Sequence, residues 1–277
     1  MIPSATITEK RVYRHFDSFG EYAQVCAETK FCQEKAKLGA DAPNPWTYGK
    51  HWCTYTRFME AMRAGLAEPS VIETTERVRI ECASALAGVD GPTRRRRRVW
   101  GEEGDEIDTA RMLAESTHPW SRTIIGRTSP VVRILAMFDG NSVANCQQFA
   151  AAAAAVALAS DALATAGYSF EVWAIQHGCG GYGWHGREHT VTACIKNAAE
   201  PLDIHRVASV YTTGALRHLG FGLIYHDMTP SDVGSCITPD AETLALCQAT
   251  GSIRPENFSE CTDDEIIDAA RRLIPTE

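Results

Sequence analysis

The rhythm of apolar and polar positions changes near residue 127. Val131 to Phe138 is a continuous apolar run broken only by Arg133, which predicts a strand buried on both faces at the middle of a parallel sheet. Asn145 to Ala166 reads as one long helix, so rich in alanine that it predicts very close packing on the sheet, with Gly167 as its stop. Phe170 to Gln176 and Thr190 to Lys196 read as two further strands. The connection between them, "HGCGGYGWHGRE", holds no helix, so an antiparallel hairpin is expected. Asp203 then caps a helix through "IHRVASVYTTGALRHLG", and "FGLIYHD" reads as a fourth strand. "ETLALCQATGSI" fits a helix or a late strand, and Thr262 caps an amphipathic terminal helix.

Before residue 127 the pattern predicts helices joined by irregular loops. Ser18 with Glu21 three residues later is a capping box for the helix through "GEYAQVCAETKF". "DAPNPWTYGKHWC" reads as a structured loop and "TYTRFMEAMRAGL" as helix. In "PSVIETTERVRIECASALAG", Pro69 suits a first turn, Val71, Val78, Cys82 and Leu86 fall near one face, and Gly88 suits a C-cap. Five consecutive arginines, Arg94 to Arg98, cannot share one face of a regular element, which predicts a solvated loop. Asp108 and Thr109 are candidate caps for a short helix in "ARMLAES". The Gly and Pro of "GRTSP" mark a boundary, giving a helical and irregular region over 1–126 and an α/β domain over 127–277.

Composition narrows the classes. At 277 residues and 44% hydrophobic the chain can bury a sizeable core. Thirty-five acids against 27 bases give a net charge of −8, which excludes a surface uniformly coated for duplex DNA but not a local basic patch. "MIPSATITEK" lacks a charged-then-apolar leader pattern, and the run Phe149 to Ala159 is too short to span a bilayer, so a cytoplasmic protein is expected. Ten scattered cysteines form no Cys-x-x-Cys pair and are read as reduced, buried hydrophobes.

His177, Cys179, His185 and His189 are borderline zinc ligands, but their spacing matches no standard zinc motif, and a glycine-rich surface loop presenting Tyr182 and Trp184 is the better reading. A nucleophile would be Ser142 or Cys146, neither with a local histidine, and Gly-x-Ser-x-Gly, the phosphate loop and Gly-x-Gly-x-x-Gly are absent. The arginine run is the strongest electrostatic feature. Its guanidiniums attract phosphate, or pair with Glu102, Glu103, Asp105 and Glu106 just downstream.

The order strand, long helix, strand, antiparallel strand, helix, strand, together with "ILAMFDGNS…ALASDALATAGYSFEVWAI", resembles the von Willebrand factor A fold. The resemblance implies an α/β, doubly wound, Rossmann-like and mostly parallel sheet, here with an N-terminal helical extension. In that family the first strand ends in Asp-x-Ser-x-Ser, which with a later threonine and an aspartate after the fourth strand holds a divalent cation, the metal-ion-dependent adhesion site. Carried onto this chain, the candidates are Asp139, Asn141, Thr212 (or Thr213) and Asp227, with Ser142 in the same turn. Val143 stands at the second serine position and offers no ligand, which implies a degenerate site with Asp139 capping the following helix. The whole-chain pattern, including "GDEIDTARMLAES", is also similar to a family encoded by phages and their bacterial hosts, in which a helical region precedes a degenerate A-type domain.

A fold signal without the full ligand set points first to a non-enzymatic module that recruits or scaffolds a protein partner, such as a polymerase or another phage component, in the host cytoplasm. The second reading is a single-strand nucleic-acid-binding accessory factor of phage transcription or replication. In it Arg94, Arg95, Arg96, Arg97 and Arg98 hold the backbone, and Trp100, Tyr182 or Trp184 stack on bases. The third is a metal-dependent hydrolase with Asp139 and Asp227 as paired carboxylates. No catalytic residue, cofactor or membrane contact is expected under the first reading, and magnesium is the one candidate ion.

Overall fold

A computed structural model of the chain describes residues 6–7, 11–37, 69–91, 94–114, 116–127, 131–138, 144–179, 188–211, 220–227 and 237–275. The protein is a mixed α/β structure with a six-stranded main sheet flanked by helices and a separate three-stranded sheet.

One strand in from an edge of the main sheet, rather than at its middle as expected, lies β6 (Val132–Met137), the apolar run read from sequence as a strand. It pairs in parallel with β7 (Phe170–Cys179) on one side and β9 (Gly251–Ile253) on the other. β8 (Glu188–Lys196) pairs antiparallel with β7, as the hairpin reading requires, although both strands run further into the glycine-rich connection than expected. On the far side of β8 the N-terminal region supplies β2 (Arg11–Phe16), paired in parallel with β8, and β1 (Thr6–Ile7) at the edge. Three of the five strand pairings are therefore parallel.

Strand alternation gives the sheet an apolar core on each face. Ile134, Ala136 and Phe138 join the larger cluster beneath the long helix, whereas Leu135 and Met137 point the other way, toward Trp173, Ile175 and Cys247. That long helix, α5 (Cys146–Ala166), begins with a reciprocal capping box between Asn145 and Gln148 and ends on Gly167 in the left-handed conformation at φ 84°. By length and composition α5 could cross a membrane, yet it is buried within the fold. Its other side is covered by α3 (Pro69–Glu81) and α9 (Asp263–Arg272). The buried row of α3 and the turn after it is the expected one, with Val71, Val78, Cys82 and Leu86 in the core.

Two sequence readings are corrected. "FGLIYHD" is not a strand but the helix α7 (Phe221–Asp227), because a short apolar run carries no period that separates strand from helix. Gly222 lets this helix press on α1 (Phe19–Glu28) and α2 (Lys30–Lys37): a Cβ there would come within 2.7 Å of Thr29 Oγ1 and 2.8 Å of Cys32 Sγ. The fourth strand is β9, and the undecided segment before it divides into the helix α8 (Ala241–Leu246), capped by Asp240, followed by that strand. α6 (Ile204–Val210) starts at the Asp203 cap as expected.

The second correction concerns the arginine run. Arg94 to Arg98 lie in a strand, β3 (Arg94–Gly101), paired antiparallel along its length with β5 (Trp120–Arg127), which also carries the short β4 (Glu106–Ile107). Asp108 caps α4 (Thr109–Leu113) between β4 and β5. A strand does not require its side chains to share a face, so a run of like charges that no helix could sort is admissible there.

The tightness of α5 and α7 is testable. Ala153→Leu, in a position with no exposure, and Gly222→Ala are each expected to lower unfolding stability by about 1–3 kcal/mol through overpacking, read from urea denaturation midpoints.

Candidate functional site

Of the residues proposed for a cation turn, Asp139, Asn141, Ser142 and Thr212 lie outside the described residues, as do Tyr182, Trp184 and His185. Asp227 is described, and its surroundings differ from those expected. It is the last residue of α7 rather than the end of a strand. Its carboxylate takes two hydrogen bonds from Arg14, Nε to Oδ2 at 2.7 Å and Nη2 to Oδ1 at 2.6 Å. His189 Nε2 lies 2.9 Å from Oδ2. All three side chains are buried.

The backbone explains the convergence. β2 and β8 run parallel with Val12 opposite His189 and Arg14 opposite Val191, so positions 12, 14, 189 and 191 share the sheet face on which α1 and α7 pack. Arg14 occupies an inward position of an otherwise apolar row, Val12 and Phe16 being its neighbours two residues away. Burial pushes the Asp227 carboxyl up, but the hydrogen bonds from Arg14 and His189 and their charges outweigh it and hold the group at about 2. An ionised carboxylate only accepts, so His189 donates from Nε2. Its Nδ1 is buried without a hydrogen-bond partner among the described residues, and so is Nε2 of Gln176, nearby on the same face. Gln176 accepts at Oε1 from the Tyr22 hydroxyl at 3.4 Å.

His177, read as an exposed loop ligand, is instead interior. Nδ1 lies 2.8 Å from Thr190 Oγ1, and desolvation lowers its pKa to about 4, partly opposed by Asp240. His189 is likewise strand rather than loop, and Cys179 ends β7. Cys26, Cys82, Cys194, Cys247 and Cys261 are free thiols, buried or half-buried, and burial pushes those of Cys194 and Cys247 up to about 11. Cys146 is the first residue of α5, and Asn145 rather than Asp139 provides the cap of that helix.

A polar ladder on the opposite sheet face was not foreseen. Tyr13 and His15 both meet Thr192 Oγ1, at 3.1 and 3.0 Å, and Trp173 sits between the stacked ring of His15 and the guanidinium of Arg133. The signal was present in "RVYRHF", whose alternation is masked by the inward Arg14.

In the smaller sheet, Arg98 pairs with Glu106 and donates to Ser121 Oγ at 3.0 Å. The Trp100 ring carries the guanidinium of Arg111 at 4.1 Å and that of Arg98 at 5.3 Å. No described residue of β3, β4, α4 or β5 belongs to either hydrophobic cluster, and Ile107, Met112 and Leu113 are exposed.

The chain belongs to the family described as a domain of unknown function, DUF7192, which matches residues 4–267. That span takes in the N-terminal strands, the arginine-bearing sheet and the main sheet together. No curated protein and no solved structure matches the chain.

The buried polar groups of this sheet make three predictions. Arg14→Ala strands a buried carboxylate and is expected to cost about 3–5 kcal/mol, whereas a paired apolar replacement, Arg14→Met with Asp227→Leu, costs less; denaturant midpoints of the two variants give the comparison. The second concerns pH. His177 titrates at about 4 when folded and near 6.5 when unfolded, so the unfolded chain binds the extra proton between those values and stability falls as pH drops through that window. His177→Gln should flatten that slope, by an amount on the order of 3 kcal/mol across the window. Below it, Asp227, depressed to about 2, contributes a further acid loss as pH falls below about 4, which Asp227→Asn removes.

Proposed function

We propose that the protein is a non-enzymatic interaction module, an α/β domain of the von Willebrand factor A type whose cation site has been converted into an internal ion pair. The observation that carries this reading is the carboxylate of Asp227, saturated by two Arg14 bonds and by His189. A divalent cation at that carboxylate would have to displace a guanidinium and then sit beside it, an arrangement opposed by like-charge repulsion.

The strand order supports the fold type. β8, β7, β6 and β9 lie in sequence across the sheet, so the first strand of the α/β unit is flanked by its second and fourth, with the antiparallel third beyond. In the A-type arrangement an acid follows the fourth strand; here β9 is followed by Arg254, whose guanidinium reaches Thr238 at 2.8 Å and faces Glu256 at 3.4 Å. The position after the fourth strand, where the resemblance would put the second carboxylate, thus carries an arginine, and Asp227, the residue assigned to that role from sequence, is held by Arg14. The module recruits a protein partner in this reading, and the exposed Ile107 of β4 with Met112 and Leu113 of α4 are surfaces on which such a partner gains apolar contact.

Calorimetric titration with magnesium and with manganese tests the converted site. Wild type and Asp139→Ala should give indistinguishable heats, and a phosphoester screen should show no metal-dependent turnover. Tight binding lost in the variant refutes the reading and restores the metal-dependent hydrolase.

A further inference from the structure

β3 and β5 form a ribbon in unbroken register from Arg94 opposite Arg127 to Gly101 opposite Trp120. Alternate positions of a strand repeat at about 6.8 Å along one face. Positions 94, 96 and 98 therefore make a row on one face, extended by position 127 across the ribbon, and positions 95 and 97 make a row on the other. β3 lies at an edge of its sheet. The charge is polarised along the ribbon: Glu102, Glu103, Asp105, Glu106 and Asp108 gather at its closed end, where Glu106 takes Arg98, while the open end is arginine on both strands. Arg94 stands directly opposite Arg127 in the register, so the two strands bring like charge to the same end of the ribbon.

We propose that the open end of this ribbon, Arg94 to Arg98 with Arg127, binds the sugar-phosphate backbone of nucleic acid without sequence preference. Guanidinium is the side chain best matched to phosphate, through paired N–H donors of fixed geometry. Two rows of regularly spaced cations displace condensed counterions, which supplies affinity without reading bases. The Trp100 ring is occupied by Arg111 and Arg98, so base stacking there is not part of the interaction, a change from the sequence expectation. The rest of the chain is acidic, with a net charge of −8 even when these arginines are counted, and would repel a polyanion. Binding must therefore localise to the ribbon. The inference stands on the strand register and is independent of the fold type and cation site argued above.

The test is fluorescence anisotropy of the full chain with a labelled single strand and a duplex of about 30 nucleotides, titrated between about 50 and 200 mM salt. Wild type should bind at low salt with affinity falling linearly on a log–log plot. Arg94→Gln with Arg96→Gln should weaken binding about tenfold or more and flatten the slope by about 2, whereas Arg94→Lys with Arg96→Lys keeps the slope. The pair Arg95→Gln and Arg97→Gln provides the same comparison on the other row if the first glutamine pair does not fold, as judged by circular dichroism. Preference for one probe identifies single strand or duplex as the source of the phosphate. An unchanged slope in folded glutamine variants overturns the proposal. So does a wild type that binds neither probe at the lowest salt, which would assign the ribbon to a protein ligand.

Discussion

The packing of α5 is the constraint on which the rest of the architecture depends. Alanines fill its inner positions from Ala150 to Ala155 and again at Ala157 and Ala159, and none is appreciably exposed. A helix with so little side chain lets neighbouring backbones approach closely on every side, and here the sheet takes one side while α3 and α9 take the other. Alanine contributes no side-chain entropy loss, and its high helix propensity holds the element straight without large anchors. The cost is intolerance: apart from the Arg79–Asp161 ion pair between α3 and α5, this alanine-lined seam is held by close fit, so its stability resides mostly in shape.

Arg14 and Asp227 hold together parts of the chain more than 200 residues apart. Such a pair is a poor source of net stability, since desolvating both ions offsets most of their attraction. It is a strong source of specificity. With Arg14 inward on β2, the strand docks beside β8 where Asp227 and His189 meet it, and a one-residue slip would turn the guanidinium to the opposite face and bring Tyr13 and His15 inward. The same clamp fixes the last turn of α7 and orients His189 through Nε2. A buried network of this kind therefore positions elements and withdraws a carboxylate from solution chemistry in one step.

The central and C-terminal elements were legible because their signals are local. Val131 to Phe138, the alanine helix with its Asn145 and Gly167 ends, and the caps at Asp203 and Thr262 each declare themselves within a few residues. What was lost depends on distant partners. β2 reads as irregular because its inward row is Val12, Arg14, Phe16, and nothing near residue 14 announces that an acid at 227 will neutralise it. "FGLIYHD" has the composition of a strand, and only its contact with α1 and α2 through Gly222 shows why it is a helix. His177 and His189 looked like loop residues because glycines follow one and precede the other, whereas cross-strand pairing carries the strands past both. Of the candidate site, Asp227 was found from the sequence for a reason its environment does not support, and its partner Arg14 was not found.

The two kinds of arginine in this protein show how environment decides what one side chain does. Arg14 is desolvated, its Nε and Nη2 directed at one carboxylate, and its charge is consumed inside the fold. The arginines of β3 lie in a sheet whose described residues contribute nothing to the hydrophobic core, and that sheet is held by polar and cation–π contacts around Arg98, Trp100, Arg111 and Ser121. A structure optimised for folding alone would not place Arg94 opposite Arg127, because the same register would accept an acid at either position and gain a cross-strand ion pair. The acids at the closed end belong to folding, since Glu106 already serves Arg98, whereas the register brings only arginine to the open end.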